Sequence, residues 1–262
     1  MERKCRNYSA EPDVYSPGCS QYNVTINKLF VKKTKGGNHM NKIFVDFEMQ
    51  PIKHTFKQER KIVRTEIIEF GAVMLDENDE EISSFKEYVR PVFTIDDVQA
   101  YLRDLTGINY SMIKNADGFE KVLRKFIQWC KEAGEYVIYA WSGSDLEQIN
   151  GEMTLKGIES DEDIEYMVSN WIDLQAEFGE MVGETKKINL SKALQMTGTE
   201  FVGKKHDALH DSRNTAEVYR AMQDQDTLLN SIKYTEELCE REESICTLGS
   251  MFDMNALMAA IA

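Results

Sequence analysis

Between residues 42 and 90 the apolar and polar positions follow a strand-like pattern. Runs rich in β-branched and aromatic residues cover 42–49, 65–75 and 81–90, and polar, turn-forming residues separate them. Pro91 ends the third run, because proline cannot donate a hydrogen bond to a neighbouring strand. Three consecutive strands of this kind predict an antiparallel meander.

From residue 94 the apolar positions recur at helical spacing. Thr94 is a suitable N-cap and Asp97 stands at the position of a capping-box acid, which predicts a helix that ends at Gly107. A second helix is predicted over 118–131. Its apolar residues form one face that we expect to be buried: Phe119, Val122, Leu123, Phe126, Ile127 and Cys130.

Strands and helices alternate in the remainder of the chain. The run 135–141 is apolar enough for a central strand, and Ser144 begins a helix after it. The acidic segment 159–165 is interpreted as a solvated surface. The other predicted elements are a short fifth strand at 171–174 and helices over 175–182, 188–196 and from Asp207 onward. This order predicts an α/β fold, with a mixed sheet flanked by helices.

The 262 residues suffice for one substantial domain with appendages. Residues 1–39 show no sustained period, which predicts either a disordered N-terminal segment or a translated leader. The leader hypothesis rests on Lys35-Gly-Gly, since a purine-rich ribosome-binding sequence can encode it shortly before Met40. The main domain is then predicted over 40–223. A helical tail is predicted over 224–262, and its apolar end is interpreted as core, as a homodimer contact or as a site for a protein partner.

Charge and cysteine content narrow the function classes. A formal net charge of −14 argues against a protein that coats nucleic acid non-specifically, but it allows an enzyme with a local basic rim and bound metal ions. Five scattered cysteines without a Cys-x-x-Cys pair argue against a disulfide framework or a zinc site, so we expect a reducing, cytoplasmic setting. No apolar run has transmembrane length, and no membrane association is expected.

Two acids on the first strand are the first candidates for chemistry. Asp46 and Glu48 project to the same face, because side chains on a strand alternate. Adjacent carboxylates resist burial, and a divalent cation would resolve both their repulsion and their desolvation. The alternative is a half-exposed strand whose outer face carries two acids, since Asp-x-Glu pairs occur by chance in so acidic a chain.

Three later residues strengthen the metal hypothesis. Asp145 follows the predicted central strand, at the end where α/β sheets usually build their sites. Asp211 lies in a predicted helix and His206 precedes that helix. Four acids form an oxygen ligand set suited to Mg²⁺ or Mn²⁺ rather than Zn²⁺. Two such ions roughly 3.5–4 Å apart can hold the attacking and leaving oxygens of a phosphodiester while a histidine accepts the proton of water.

With these residues in place, the chain resembles the DEDDh 3′→5′ exonucleases of the RNase H-like fold. The resemblance covers about 42–223. It rests on three motifs, Phe44-Val-Asp46-Phe-Glu48, the strand and loop that end at Asp145, and His206-Asp-Ala-Leu-His-Asp211. Segments 66–70, 88–91 and 105–108 are similar to the Eri-type branch of histone-mRNA exonucleases. The resemblance implies a five-stranded mixed sheet whose first three strands are antiparallel.

The resemblance also implies roles for individual residues. Asp46, Glu48, Asp145 and Asp211 would bind two Mg²⁺ or Mn²⁺ ions. Glu48 would also contact the terminal 3′-hydroxyl, and His206 would be the general base. The terminal nucleotide would contact Met49 and the turn made of Leu105, Thr106, Gly107 and Ile108, with Thr106 as a hydrogen-bonding group. The alternatives are a buried methionine and an ordinary helix-ending turn. His210 is interpreted as a structural or surface residue.

The activity implied by the resemblance is the release of nucleoside monophosphates from single-stranded 3′ ends, with RNA favoured. The alternatives are an exonuclease or endonuclease of another specificity, such as a DNA-directed 3′→5′ exonuclease, and a non-catalytic regulator with the same fold. Basic residues cluster at 53–64, Lys186–Lys187, Lys204–Lys205 and Arg213, and some of them are expected to line a substrate cleft. Because the remaining surface is acidic, we expect weak binding that depends strongly on salt.

Overall fold

The computed structural model describes residues 40–93, 98–132, 134–230 and 232. The predictions for 1–39, for the cap formed by Thr94 and Asp97, and for the apolar segment 251–262 lie outside the described residues. Within the described part of the chain, no helix combines the length and the apolar character needed to cross a membrane.

Five strands form one sheet in the order β3-β2-β1-β4-β5. They are β1 (Asn41–Pro51), β2 (Thr65–Leu75), β3 (Glu81–Tyr88), β4 (Tyr136–Ala140) and β5 (Trp171–Asp173). The pairs β1–β2 and β2–β3 are antiparallel, whereas β1–β4 and β4–β5 are parallel. The predicted mixed sheet and its antiparallel first three strands are therefore confirmed.

Strand β1 lies at the centre of the sheet and is covered on both faces. Ile43, Val45 and Phe47 pack into one core, whereas Phe44 packs into the core on the opposite face and is fully buried. Phe44 shares its face with the two acids of the strand, because side chains alternate. The alternative of a half-exposed β1 is therefore wrong, and its acids face the interior of the domain.

Helices cover both faces of the sheet. They are α1 (Glu59–Ile62), α2 (Ala100–Thr106), α3 (Tyr110–Ile113), α4 (Phe119–Glu132), α5 (Ser144–Lys156), α6 (Glu162–Ser169), α7 (Leu174–Val182), α8 (Leu190–Met196) and α9 (Ala208–Met222). Helices α4, α5 and α6 pack on one face, and α7, α8 and α9 pack on the other. The predicted apolar face of α4 is fully contained in the first of these cores.

Several predicted boundaries need correction. The first predicted helix begins at Ala100 rather than at residue 94, although Gly107 ends it in a left-handed conformation as predicted. The predicted helix at 188–196 begins at Leu190, because the side chain of Asn189 caps it. The predicted third strand ends at Tyr88, short of residue 90.

The acidic segment 159–165 is more than a solvated surface. Asp161 accepts a hydrogen bond from the backbone N–H of Ile164 and so caps helix α6. Ile164 and Met167, three positions apart, are buried against the core. The acids of this helix face solvent. Because they surround the two buried residues, the apolar face of the helix was not recognised from the sequence.

The first residues of the predicted tail pack on the same domain. Asp224 accepts a hydrogen bond from the backbone N–H of Thr227, and residues 225–230 are helical. Leu228 and Ile232 are buried in the core beneath α9, together with Met222.

Candidate active site

The site begins on the face of β1 that packs against α9. Glu48 lies on this strand and is 8% exposed, whereas Asp46 is partly buried. The β1–β2 register shifts directly after Glu48, between Glu48 and Met49. Such an irregularity changes the direction of the side chains where the regular pairing of the two strands is interrupted. The strand thus delivers two carboxylates to the interior face of the sheet.

The loop after β4 delivers the third acid. Asp145 lies in the first turn of α5 and is buried, with the Ser142 hydroxyl 3.5 Å from its Oδ2. Asp173, at the end of β5, accepts a hydrogen bond of 2.9 Å from the backbone N–H of Gly143 and also caps α7. Asp173 therefore fixes the loop that carries Asp145, a role that the sequence did not reveal.

The segment before α9 delivers the histidine and the fourth acid. His206 has a left-handed backbone with φ 61°, which is uncommon for a residue other than glycine. This conformation allows its backbone N–H to donate to Asp211 Oδ2 at 3.0 Å. Asp207 caps α9 by accepting from the backbone N–H of His210. The helix that the sequence predicted from Asp207 onward is confirmed.

The structure brings the predicted residues together from three parts of the chain. Glu48, His206 and Asp211 each offer a ligand atom, and these atoms lie within 4.8 Å of one another. Asp46 lies close enough to Asp145 and Asp211 for their charges to raise its pKa. All four predicted acids and the predicted histidine therefore converge at one end of the central strand.

The pKa values of these four acids are all raised. Burial raises the pKa of Asp46 well above its ordinary value, and the neighbouring carboxylates raise it further. Burial and nearby acids raise the pKa of Glu48 to about 8. Burial likewise raises the pKa of Asp145 to about 7 against the opposing effect of hydrogen bonds from its own backbone N–H and Ser142. The pKa of Asp211 is raised by burial, while the hydrogen bond from His206 opposes the shift.

The donor set fits a hard divalent cation. Within the described chain, none of the four acids forms an ion pair with lysine or arginine. Buried carboxylates without such a partner need a proton or a metal ion to be stable. Carboxylate oxygens with one nearby imidazole suit Mg²⁺ or Mn²⁺, the ions that the sequence predicted.

The predicted nucleotide turn lies at the end of α2. Leu105 is 42% exposed, whereas Thr106 and Ile108 are buried. The Thr106 hydroxyl donates to the Leu102 carbonyl at 2.8 Å and accepts from the Ile108 N–H at 3.0 Å. It therefore serves its own backbone, as in an ordinary helix-ending turn. Its role in substrate binding stays a prediction.

Lys204 links this turn to the His206 segment. Its ammonium lies so close to Gly107 that a side chain at Gly107 would collide with it. Lys205 instead lies over the ring of Phe201, 5.4 Å from its centroid. Of these adjacent lysines, one crosses to the predicted nucleotide turn and the other packs on its own segment.

Met49 has contacts that fit its structural alternative. It is partly buried, packs against the core beneath β1, and its sulfur lies 3.9 Å from the Thr65 hydroxyl. His210 packs closely on Gly203 with its ring 3.3 Å from Asp207, which agrees with a structural role. The proposed contact of Met49 with substrate stays a prediction.

Three residues on elements that carry the site or the predicted nucleotide turn were not singled out from the sequence. Glu69 pairs directly with Glu48 across β1 and β2 and is 1% exposed. Lys86 contacts Glu69 from β3. Tyr101 is 57% exposed and lies one helical turn before Leu105. The spacing of Tyr101 and Leu105 could have indicated a shared helix face, whereas the position of Glu69 depends on strand register.

Comparison with known proteins places these features in a family. The RNase_T model, described as an exonuclease, matches residues 43–219. The 3′-5′ exoribonuclease 1 of Rattus norvegicus is 30% identical over 170 residues, which cover 61% of this chain and 47% of the relative. ERI1 exoribonuclease 2 of Mus musculus is 31% identical over 169 residues, which cover 58% of this chain and 24% of the relative. The chain thus spans about half or less of these curated relatives.

Solved structures support the same relationship. The nuclease domain of 3′hExo, described as a DEDDh family member bound to rAMP, is 26% identical with a TM-score of 0.56. That match covers 72% of this chain and 94% of the other. A full-length 3′-exonuclease is 25% identical with a TM-score of 0.59 and coverages of 72% and 62%. The RNase H-like exonuclease fold expected from the sequence is confirmed.

Proposed function

Because the chain belongs to the RNase_T exonuclease family, we propose that it is a metal-dependent 3′→5′ exonuclease. It releases nucleoside monophosphates from single-stranded 3′ ends and favours RNA over DNA. The observation that carries this proposal is the approach of Glu48, His206 and Asp211 within 4.8 Å beside the partly buried Asp46 and the buried Asp145. The preference for RNA is supported by the curated relatives, which are named exoribonucleases.

The four acids are the proposed ligands of two Mg²⁺ or Mn²⁺ ions. When bound, such ions activate the attacking water and stabilise charge on the phosphodiester oxygens. Asp46 and Glu48 are held by the central strand, Asp145 by the loop fastened to Asp173, and Asp211 by α9. The protein therefore fixes the ligands with elements from both sides of the sheet, as precise positioning of reacting groups requires.

His206 is the proposed general base. Its imidazole is exposed, and its backbone is fastened to Asp211. A neutral imidazole ring can accept a proton from the attacking water. The left-handed backbone places this ring beside Glu48 and Asp211 rather than on the helix.

The proposed path of the nucleic acid lies between α2 and the segment before α9. Tyr101 and Leu105 present an exposed aromatic and aliphatic surface on one face of α2. Unpaired bases stack on such surfaces without strong sequence preference. Lys204 reaches this turn from the opposite side and supplies a cation for a phosphate. Glu48 faces the terminal 3′-hydroxyl in this arrangement.

The test is a nuclease assay on matched single-stranded RNA and DNA with a 3′-terminal label, in Mg²⁺ or Mn²⁺. We expect labelled mononucleotide from RNA and a slower reaction on DNA. Neither substrate should release mononucleotide when a chelator is present or when its 3′ end carries a phosphate. Internal fragments would instead indicate an endonuclease. Faster cleavage of DNA would overturn the preference, and inactivity on both would favour a non-catalytic regulator.

The two histidines near the start of α9 provide a matched control for the general base. His206→Gln is expected to lower kcat about 10²–10⁴-fold, the usual contribution of a general base. His210→Gln is expected to leave kcat unchanged, because that ring packs on Gly203. Equal losses in both variants would contradict the role of His206.

A further inference from the structure

A lysine that does not belong to the predicted site lies between two carboxylates next to that site. The Lys86 ammonium on β3 lies 2.6 Å from Asp207 Oδ2 and 3.2 Å from Glu69 Oε1. Glu69 belongs to β2 and is 1% exposed, whereas Asp207 caps α9. Lys86 therefore joins two strands of the sheet to the start of the helix that carries Asp211.

Glu69 extends this network to the site itself. Its Oε2 accepts a hydrogen bond of 3.2 Å from the backbone N–H of Ala208, the first residue of α9. Glu69 on β2 is also the antiparallel register partner of Glu48 on β1. One buried carboxylate thus connects the β1 acids with the helix that brings His206 and Asp211 toward them.

Close packing at Gly71 gives these polar contacts their importance. The α9 backbone at Ala208 and Leu209 lies against β2, where a side chain on Gly71 would collide with it. No side chain therefore separates the helix from the strand at this point, and small displacements are not absorbed by rotamer changes. The position of the start of α9 along the sheet surface therefore depends on the ion pairs and the hydrogen bond that Asp207 and Glu69 form.

We propose that Lys86 is a positioning residue of the nuclease site, which fixes the start of α9 through Asp207 and Glu69 so that His206 and Asp211 face Glu48. The inference rests on the proposed function for its catalytic consequence. A residue that orients ligand-bearing groups typically changes metal affinity or activity when it is removed, although it does not touch the metal.

A second ion pair between the same two elements provides the control. Arg213, a basic residue considered for the substrate cleft from the sequence alone, lies further along α9 and instead donates to both carboxylate oxygens of Glu81 on β3, at 2.8 to 3.2 Å. Both side chains of this pair are more than one third exposed. Arg213→Met therefore also removes an ion pair between α9 and β3, but at a position away from the helix start.

The experiment compares Lys86→Met, Lys86→Arg and Arg213→Met in the full chain. We expect Lys86→Met to lower kcat about 10–100-fold and to weaken Mn²⁺ binding, measured by calorimetry, by a similar factor. KM for RNA should stay unchanged, because the Lys86 ammonium is bound to Asp207 and Glu69. Lys86→Arg should restore most of kcat and of metal affinity, whereas Arg213→Met should change neither.

Equal effects of Lys86→Met and Arg213→Met on Mn²⁺ affinity and kcat would overturn the proposal. If Lys86→Met does not fold, Asp207→Asn replaces it, since asparagine still caps a helix but loses the charge that binds Lys86. Inactive wild-type protein would overturn the proposed function. In that case, weaker Mn²⁺ binding by Lys86→Met alone would still support the positioning role, and unchanged binding would overturn it.

Discussion

Two groups of buried carboxylates lie against the same sheet, and the protein neutralises them differently. Glu66 and Glu152 share the ammonium of Lys156, which forms ion pairs with both. Glu66 also accepts backbone N–H groups from Val92 and Phe93, and Glu152 accepts from Ile67. The chain therefore supplies this first group, the Lys156 cluster, with hydrogen bonds and with one cation that both carboxylates share.

The acids of the candidate active site have no comparable partner in the described structure. Asp46 and Glu48 form no ion pair with lysine or arginine there, and their pKa values are raised by burial and by neighbouring acids. The Glu152 pKa is also raised by burial, but the charge of Lys156 opposes that shift. Burial of acids is thus common to both groups. A missing protein cation, rather than burial, distinguishes a site that needs a metal.

The largest expected effect comes from removing one acid of the site. Asp211→Asn keeps an oxygen that can accept from the His206 N–H but loses the charge. We expect kcat to fall by about 10³-fold or more, as when a group that stabilises transition-state charge is removed. The melting temperature of the metal-free protein should not fall, because repulsion is relieved.

The matched control is Glu217→Gln on the same helix, where the carboxylate pairs with Arg220. This variant should keep its activity. Retained activity in Asp211→Asn would remove the distinction between the two carboxylate groups.

The Lys156 cluster should respond in the opposite sense. Lys156→Met removes the ammonium that the fully buried Glu66 and Glu152 share. We expect a loss of about 3–5 kcal/mol in the free energy of unfolding, as for a broken buried ion pair, measured by urea denaturation. Mn²⁺ should not restore the loss.

Lys121→Met is the control for this measurement, since Lys121 pairs with Asp117 on the surface. Its cost should be about 0–1 kcal/mol. Rescue of Lys156→Met by Mn²⁺ would mean that the Lys156 cluster is a metal site.

Metal-free protein should become less stable as pH rises. The pKa of Glu48 is about 8 in the folded chain against an ordinary value of 4.5, so the folded state holds a proton that the unfolded state has lost between these values. The stability from this group is full below pH 4.5 and is lost as pH rises through about 8. Asp145, with a pKa of about 7, acts in the same direction.

Bound Mn²⁺ should reduce this loss, because metal binding replaces the protons. Thermal melts from pH 5 to 8, with chelator and with Mn²⁺, measure both effects, and metal stabilisation should reach about 2.7 kcal/mol at a hundredfold excess over Kd. In Glu48→Gln the pH dependence with chelator should be weaker. An unchanged dependence would show that Glu48 does not titrate as its surroundings indicate.

The smallest expected effect concerns Lys204, the proposed contact for a substrate phosphate. Lys204 reaches the α2 turn, whereas Lys205 lies on Phe201. Lys204→Ala should raise KM several-fold and reduce the slope of log KM against log salt by about 0.7, the value for one phosphate contact on a single strand. Lys205→Ala should change neither, and equal slopes would contradict the assignment.

Local patterns predicted most of the sheet because alternation and turn residues act over short distances. The runs that became β1, β2 and β4 are apolar enough to be recognised alone. Helix α6 was missed because acids surround its two buried residues, Ile164 and Met167. Its stability depends on packing against the core, which the sequence of the segment does not reveal.

The site was predictable to the extent that its residues follow recognisable motifs. The convergence of Glu48, His206 and Asp211 agrees with those motifs. The pairing of Glu69 with Glu48 depends on the exact strand register and could not be read from either strand alone. The direction of Lys204 likewise depends on its tertiary contact with Gly107, whereas Lys205 contacts Phe201 on its own segment.

The central position of β1 also determines how fast the site can open. Val45 pairs with Ala72 on one side and with Ala140 on the other, and both faces of the strand are covered. Amide hydrogens in such a strand exchange with solvent only through large, cooperative openings of the domain. Asp46 and Glu48 are therefore held together for as long as the domain stays folded, whereas the exposed segment at His206 can rearrange on the much shorter timescale of loop motions.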